Sequence, residues 1–438
     1  MPNKVMTRTL QILTLLLAAA ASNAQVLRGL DIVAEGGTTI TVSPGDCRVN
    51  GKTVAVTTAV LDIRPPAGLR VENETYKLES KLAERWGPGT HLKGCSTTNP
   101  LPGRLVPDSV SVILPDGTTA TQGADYALGA EWATLARLPN GRITTDTEVR
   151  VNYSVGQMRI DAIEVGPDGK VQLVKGEEAK ASPQLPTLTT GSLHLANVYM
   201  PPNATAVDSW QIFPIGASFQ EPSSDELKIR AALIPKTLQK LRNGEPLTIV
   251  TWGDSVTVGG DTSKPGLAYA NLFITRLRER FPKANIKHVN AGIGATNTDG
   301  RLPSFSKEVL SFHPDLVTIE FINDMDFPEA KLRVNYDRAL SQLRAIGSEV
   351  ILITPHFSAP FMMGKALPRG AEIRPAVFTL RSIAAENHIG LADTSRRWAH
   401  LEQEGIPYVA YLYNGINHPD DRGHELFVRD LMSFFPRY

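Results

Sequence analysis

The sequence predicts two architectures in series: an antiparallel β-rich region over about 25–220, then an α/β unit over 221–438 built on a parallel sheet. Three observations predict this. The 438 residues exceed one typical domain. Up to about Phe213, short β-branched runs are separated by tight-turn signatures. Beyond Pro222, strand-like and helix-like segments alternate, as they do where helices cover both faces of a parallel sheet.

At the N-terminus, Lys4 and Arg8 precede an apolar run over 10–21 and the small-residue exit Ser22-Asn23-Ala24. That order is the pattern of a secretory signal peptide cut near Ala24, and the apolar run is short for a spanning helix. The expected location is therefore secreted or periplasmic. The two cysteines, Cys47 and Cys95, are expected to form a disulfide, the usual fate of an isolated pair in an exported chain.

In the β-rich region, strands are expected around 39–42, 54–56, 110–114 and 149–153. Between and beyond them stand Pro115-Asp116-Gly117, Pro139-Asn140-Gly141 and Pro167-Asp168-Gly169. The period-two pattern predicts sandwich-like sheets, with room for two small β domains. Residues 178–190, rich in Ala, Pro and Thr, are expected to form a loop.

Ser223 and Glu226 make a capping box that starts a helix, and Pro235 is expected to stop or bend it. Strands follow at 247–252, 286–290, 316–321 and 350–354, with helices at 267–281, 331–346 and 422–435.

Forty-five basic and 45 acidic side chains leave no net charge, and no long Lys/Arg run occurs. This argues against a nucleic-acid partner and against stable membrane insertion, and for a neutral or small substrate. No metal-ligand spacing and no cofactor motif is found, so none is expected.

Functional groups of a parallel sheet belong at the carboxyl ends of its strands. The strand at 247–252 runs directly into Gly253-Asp254-Ser255, which presents Ser255 there. A serine nucleophile needs a base and donors for the oxyanion. The second strand ends in Asn290-Ala291-Gly292, the third in Phe321-Ile322-Asn323-Asp324, and His418 precedes the last helix.

Gly253-Asp254-Ser255, Gly292, Asn323-Asp324 and His418-Pro419 resemble, in order and spacing, four conserved blocks of the SGNH/GDSL hydrolases. The resemblance covers roughly the last 190 residues. It implies a flavodoxin-like three-layer α/β/α fold, Ser255 as nucleophile and His418 as general base. It also implies an oxyanion hole of the Ser255 and Gly292 N–H groups and the Asn323 amide. The implied reaction is acyl transfer to water without a cofactor. Two positions depart from the family pattern. Phe321 replaces a usual glycine and is expected to narrow the pocket, and Gly415 stands where the family has its Asp. His418 is therefore expected to lean on a neutral acceptor, the side chain of Asn414 or a carbonyl of the 413–417 loop, with Asp420 and Asp421 capping the helix instead.

The function expected is a secreted serine esterase that removes small acyl groups, acetyl foremost, from polysaccharide. Alternatives are a lipase- or lysophospholipase-like esterase, for which Pro360-Phe361-Met362-Met363 could supply an acyl groove, and a catalytically impaired carbohydrate-binding or adhesion protein.

Overall fold

The computed structural model describes residues 25–97, 99–363 and 371–437. The expected signal peptide lies outside them. Among the described residues no helix is long and apolar enough to cross a membrane.

From Gln25 to Pro214 every strand-to-strand ladder is antiparallel. The strands enclose two separate cores. One joins both ends of the region: Ile40, Val42 and Val49 pack with Ile163, Val165, Val198 and Met200. The other lies between them in sequence, under the sheet formed by Leu69–Lys77, Glu148–Val155 and Leu105–Ile113. In Glu148–Val155 the alternate residues Val149, Val151, Tyr153 and Val155 are fully buried, the period-two signal read from the sequence. The expected loop at 178–190 holds no helix or strand.

The expected disulfide is not formed. Cys47 faces the first core from Gly45–Val49, Cys95 sits in the second on the turn Lys93–Cys95, and both are buried free thiols. Burial pushes the Cys95 thiol up to about 12, which keeps it protonated and unreactive. The pairing argument rested on compartment and count, and neither reports that the two residues belong to different cores.

The C-terminal sheet is entirely parallel. Its order across the sheet is Asn285–Gly292, Pro246–Gly253, Leu316–Glu320, Glu349–Ile353, Gly390–Ala392, the doubly wound order of the flavodoxin type. Helices Tyr269–Arg280 and Asp421–Met432 cover one face through Phe273, Leu277, Phe427 and Leu431. Glu329–Ala345 and Pro375–Glu386 cover the other through Leu332, Tyr336, Leu380 and Ile383. The capping box forms as expected: Ser223 caps Ser224–Ala231, and Pro235 starts a second helix, Pro235–Asn243.

The β-rich region is welded to the α/β domain. Ile160, Tyr199 and Phe213 share a core with Phe357, Trp398 and Tyr408. Asn197 Nδ2 donates to the Gly405 carbonyl at 2.7 Å across the same junction.

Candidate active site

Strand Pro246–Gly253 delivers its chain into Asp254, which caps the four-residue helix Ser255–Val258 by accepting the Val256 N–H at 3.0 Å. Ser255 is thereby the first helical residue, and its N–H has no intrahelical partner. The other Asp254 oxygen accepts the Asn323 N–H at 3.1 Å, which ties the ends of two strands together. Asp254 is fully buried, and desolvation raises its carboxyl to about 6. Behind it Glu320 is raised well above the carboxylate range and Asp324 to about 7, both chiefly by desolvation.

His418 Nε2 lies 2.9 Å from Ser255 Oγ. Its Nδ1 lies 2.6 Å from Asp261 Oδ2, so the tautomer these partners favour donates from Nδ1 to the carboxylate and accepts the serine hydroxyl at Nε2. The orienting group is thus a carboxylate, and the expected neutral acceptor is corrected. Asp261 stands six residues after Ser255, beyond Gly259-Gly260. Gly260 permits this return of the chain, because a Cβ there would sit 2.9 Å from His418 Cε1. Asp261 is itself held from the β-rich region: Asn99 Nδ2 donates to it at 3.2 Å.

Asn414 has another task. Its Oδ1 accepts the N–H groups of Ile416, Asn417 and His418, each at 2.9 Å, and knots the loop that carries the imidazole. His356 Nε2, 2.9 Å from the Asn417 carbonyl, braces the same loop from below. Asp420 caps Asp421–Met432 as expected, accepting the Gly423 N–H at 3.0 Å. Asp421 accepts the Ser263 N–H at 2.9 Å.

Of the expected oxyanion donors, Asn323 stands at the end of its strand with one amide hydrogen given to the Thr296 carbonyl at 2.9 Å, which leaves the other available. Gly292 requires correction. Its N–H donates to Asn290 Oδ1 at 3.0 Å, and its missing side chain serves packing, since a Cβ would meet Val258 N at 2.4 Å. The neighbouring Gly294 approaches the nucleophile instead, its Cβ position lying 3.8 Å from Ser255 Cβ. Phe321 does not narrow a pocket. It is fully buried in the core with its ring edge-on to Trp252 at 4.7 Å.

Sequence reasoning missed Asp261, Asn99 and Arg301. Buried Arg301 donates to the carbonyls of Gly253 at 3.0 Å and Ala291 at 2.8 Å, and so fixes the ends of two strands. No short motif announces it. For Asp261 the one available signal was an acidic residue straight after Gly-Gly in the loop leaving the nucleophile.

Residues 251–426 match the family model described as GDSL-like lipase/acylhydrolase. The C-terminal domain belongs to that family. Among solved structures, the chain is similar to a two-domain esterase active on acetylated mannans, at 26% identity and a TM-score of 0.40 over 46% of this chain and 52% of that one. It is also similar to an alpha/beta hydrolase from the metagenome of Lake Arreo, Spain, at 20% identity and a TM-score of 0.36 over 43% and 94%. A third is a catalytic mutant of an acetylxylan esterase from Geobacillus stearothermophilus, at 20% and 0.35 over 42% and 92%. The chain spans about half the length of the mannan-active esterase. No curated protein matches it. The matched residues include Ser255, Asp261, Asn323 and His418.

Proposed function

We propose that this protein is an exported carboxylic ester hydrolase that removes small acyl groups, acetyl foremost, from carbohydrate. The observation that carries the reading is the line from Ser255 Oγ through His418 to Asp261, at 2.9 and 2.6 Å. In the reaction, Ser255 Oγ attacks the ester carbonyl as its proton passes to His418 Nε2. Asp261 holds the imidazole and stabilises the imidazolium without taking the proton. The oxyanion is met by the Ser255 N–H and the free amide hydrogen of Asn323, with the backbone around Gly294 close by. Collapse expels the sugar alkoxide, which takes the proton from His418. Water, deprotonated by the same histidine, then releases the acid and frees Ser255.

Carbohydrate is favoured by aromatic rings left on the surface of the β-rich region. Trp86 is 44% exposed and packs edge-on against Trp132 at 6.3 Å, and Trp210 is 52% exposed. Such rings offer flat apolar faces to sugar rings. A lipase-like reading is favoured by Phe361 and Met362, which are 56% and 37% exposed. Aryl esters of graded chain length separate the two, with acetate preferred over octanoate under the carbohydrate reading.

Ser255→Ala is expected to abolish acetyl release from acetylated polysaccharide and labelling by a fluorophosphonate, with the melting temperature preserved. The loss should reach several orders of magnitude. Retention of a tenth of the rate contradicts the assignment, and an unlabelled wild type would instead support an inactive binding protein. Sequencing of exported protein from Gln25 onward tests the signal peptide.

A further inference from the structure

Five arginines are buried among the described residues. Four have carboxylate partners: Arg159 with Asp161 and Glu178, Arg301 with Glu308, Arg374 with Glu372, and Arg397 with Glu221 and Asp430. Arg104 differs. It is 1% exposed, and its Nε, Nη1 and Nη2 have no hydrogen-bond partner. Burial pulls it down only to about 10, so it stays charged at neutral pH. An uncompensated buried charge is strongly destabilising, and among the described residues no carboxylate pairs with it.

Arg104 lines a cavity of about 280 Å³ where the β-rich region meets the catalytic domain, together with Lys180, Tyr199, Trp210, Phe361 and Gly415. Gly415 belongs to the loop knotted by Asn414, three residues before His418, so the cavity backs onto the catalytic histidine's own support. Among the described residues the Tyr199 hydroxyl donates to the Met158 thioether, at 3.9 Å. The hydroxyl is thus a second under-used donor beside the guanidinium. One carboxylate, Glu131, also lines the cavity, but it makes no pair with Arg104. Trp210 and Phe361 present exposed rings.

We propose that this cavity binds a carboxylate-bearing sugar, a uronic acid unit of the acylated glycan, with its carboxylate on Arg104 and Tyr199 and its ring against Trp210 and Phe361. The charge calls for an anion, the planar fork of arginine suits a carboxylate, and the aromatic lining suits a sugar ring rather than a small free acid. The guanidinium is closed to solvent in the free chain, so docking requires the side chains lining the cavity to shift. The inference rests on the carbohydrate-esterase reading and narrows its substrate to an acidic polysaccharide.

Titration calorimetry on the full chain tests it with three ester-free probes: a xylooligosaccharide bearing glucuronic acid, the same oligosaccharide without the acid, and sodium acetate. The acidic oligosaccharide should bind at least about 10-fold more tightly than the neutral one, the scale of a charge-assisted hydrogen bond. Acetate should give no saturable heat. Arg104→Met should erase the acid preference and raise the melting temperature of the free protein, because it removes an unpaired buried charge. Trp210→Ala, a surface change that keeps the fold, should weaken both oligosaccharides. Equal binding of acidic and neutral probes, acetate binding as tight as the acidic sugar, or an acid preference that survives Arg104→Met overturns the proposal. No probe contains an ester, so failure to bind leaves the hydrolase reading intact, whereas loss of the hydrolase reading shows in the activity assays and not in these titrations.

Discussion

The α/β domain and the β-rich region were built under different constraints. The first packs helices on both faces of a parallel sheet and brings Ser255, Asn323 and His418 to one edge, each at a strand end or in the loop before the last helix. The second holds two cores, yet Asn99 from it donates to Asp261, and Arg104 and Trp210 from it line the cavity behind the histidine loop. A division into a catalytic part and a substrate-holding accessory is therefore too simple. Under the proposed mechanism the accessory region supports the acid of the catalytic line.

Inside the α/β domain, Asn414→Ala removes the support of the histidine loop. Three N–H groups of the histidine loop would lose their acceptor in a buried setting, at about 1–3 kcal/mol for each unsatisfied group. The expectation is a lowered melting temperature and a fall in kcat of about 100-fold as His418 leaves alignment. An unchanged melting temperature would show that the knot carries no load.

Asn99→Ala acts from the other side. With one donor to Asp261 lost, kcat should fall by about 3- to 10-fold while KM holds. A change in KM alone would make Asn99 a substrate contact instead of a positioning residue.

The smallest effect on rate concerns stability. Burial raises Asp324 to about 7, so the folded state favours its neutral form. That contribution is fully present below the ordinary carboxylate pKa and is lost as pH rises through about 7. Asp324→Asn should remove this loss, worth on the order of 4 kcal/mol. Melting curves from pH 4.5 to 8 should therefore fall for the wild type relative to the variant, and parallel curves would refute the burial argument.

The α/β domain was legible because its signals are local. Alternating apolar runs fix strands and helices, and Ser255, Asn323 and His418 each stand where an element ends. Asp261 was hidden because its role depends on a reversal at Gly259-Gly260 and on a partner from a different region. Gly292 shows the opposite error. The glycine was rightly singled out, but what it supplies is room for Val258, not a free donor. In the β-rich region strands could be read from period-two alternation, whereas the joining of the region's two ends in one core could not, since packing between residues such as Ile40 and Ile163 leaves no local trace. Cys47 and Cys95 went wrong for the same reason.

The central claim is that the carboxylate missing beside His418 in sequence is supplied by Asp261. The decisive measurement is kcat/KM on one small acetate ester for Asp261→Asn beside Asp420→Asn and Asp421→Asn. Asp261→Asn should lose about 10⁴-fold, the scale of neutralising a triad acid, with the fold intact. The two helix-start variants should stay within a small factor of the wild type. If Asp261→Asn keeps more than a tenth of the activity, or if Asp420→Asn or Asp421→Asn suffers the large loss instead, the account of this site is wrong.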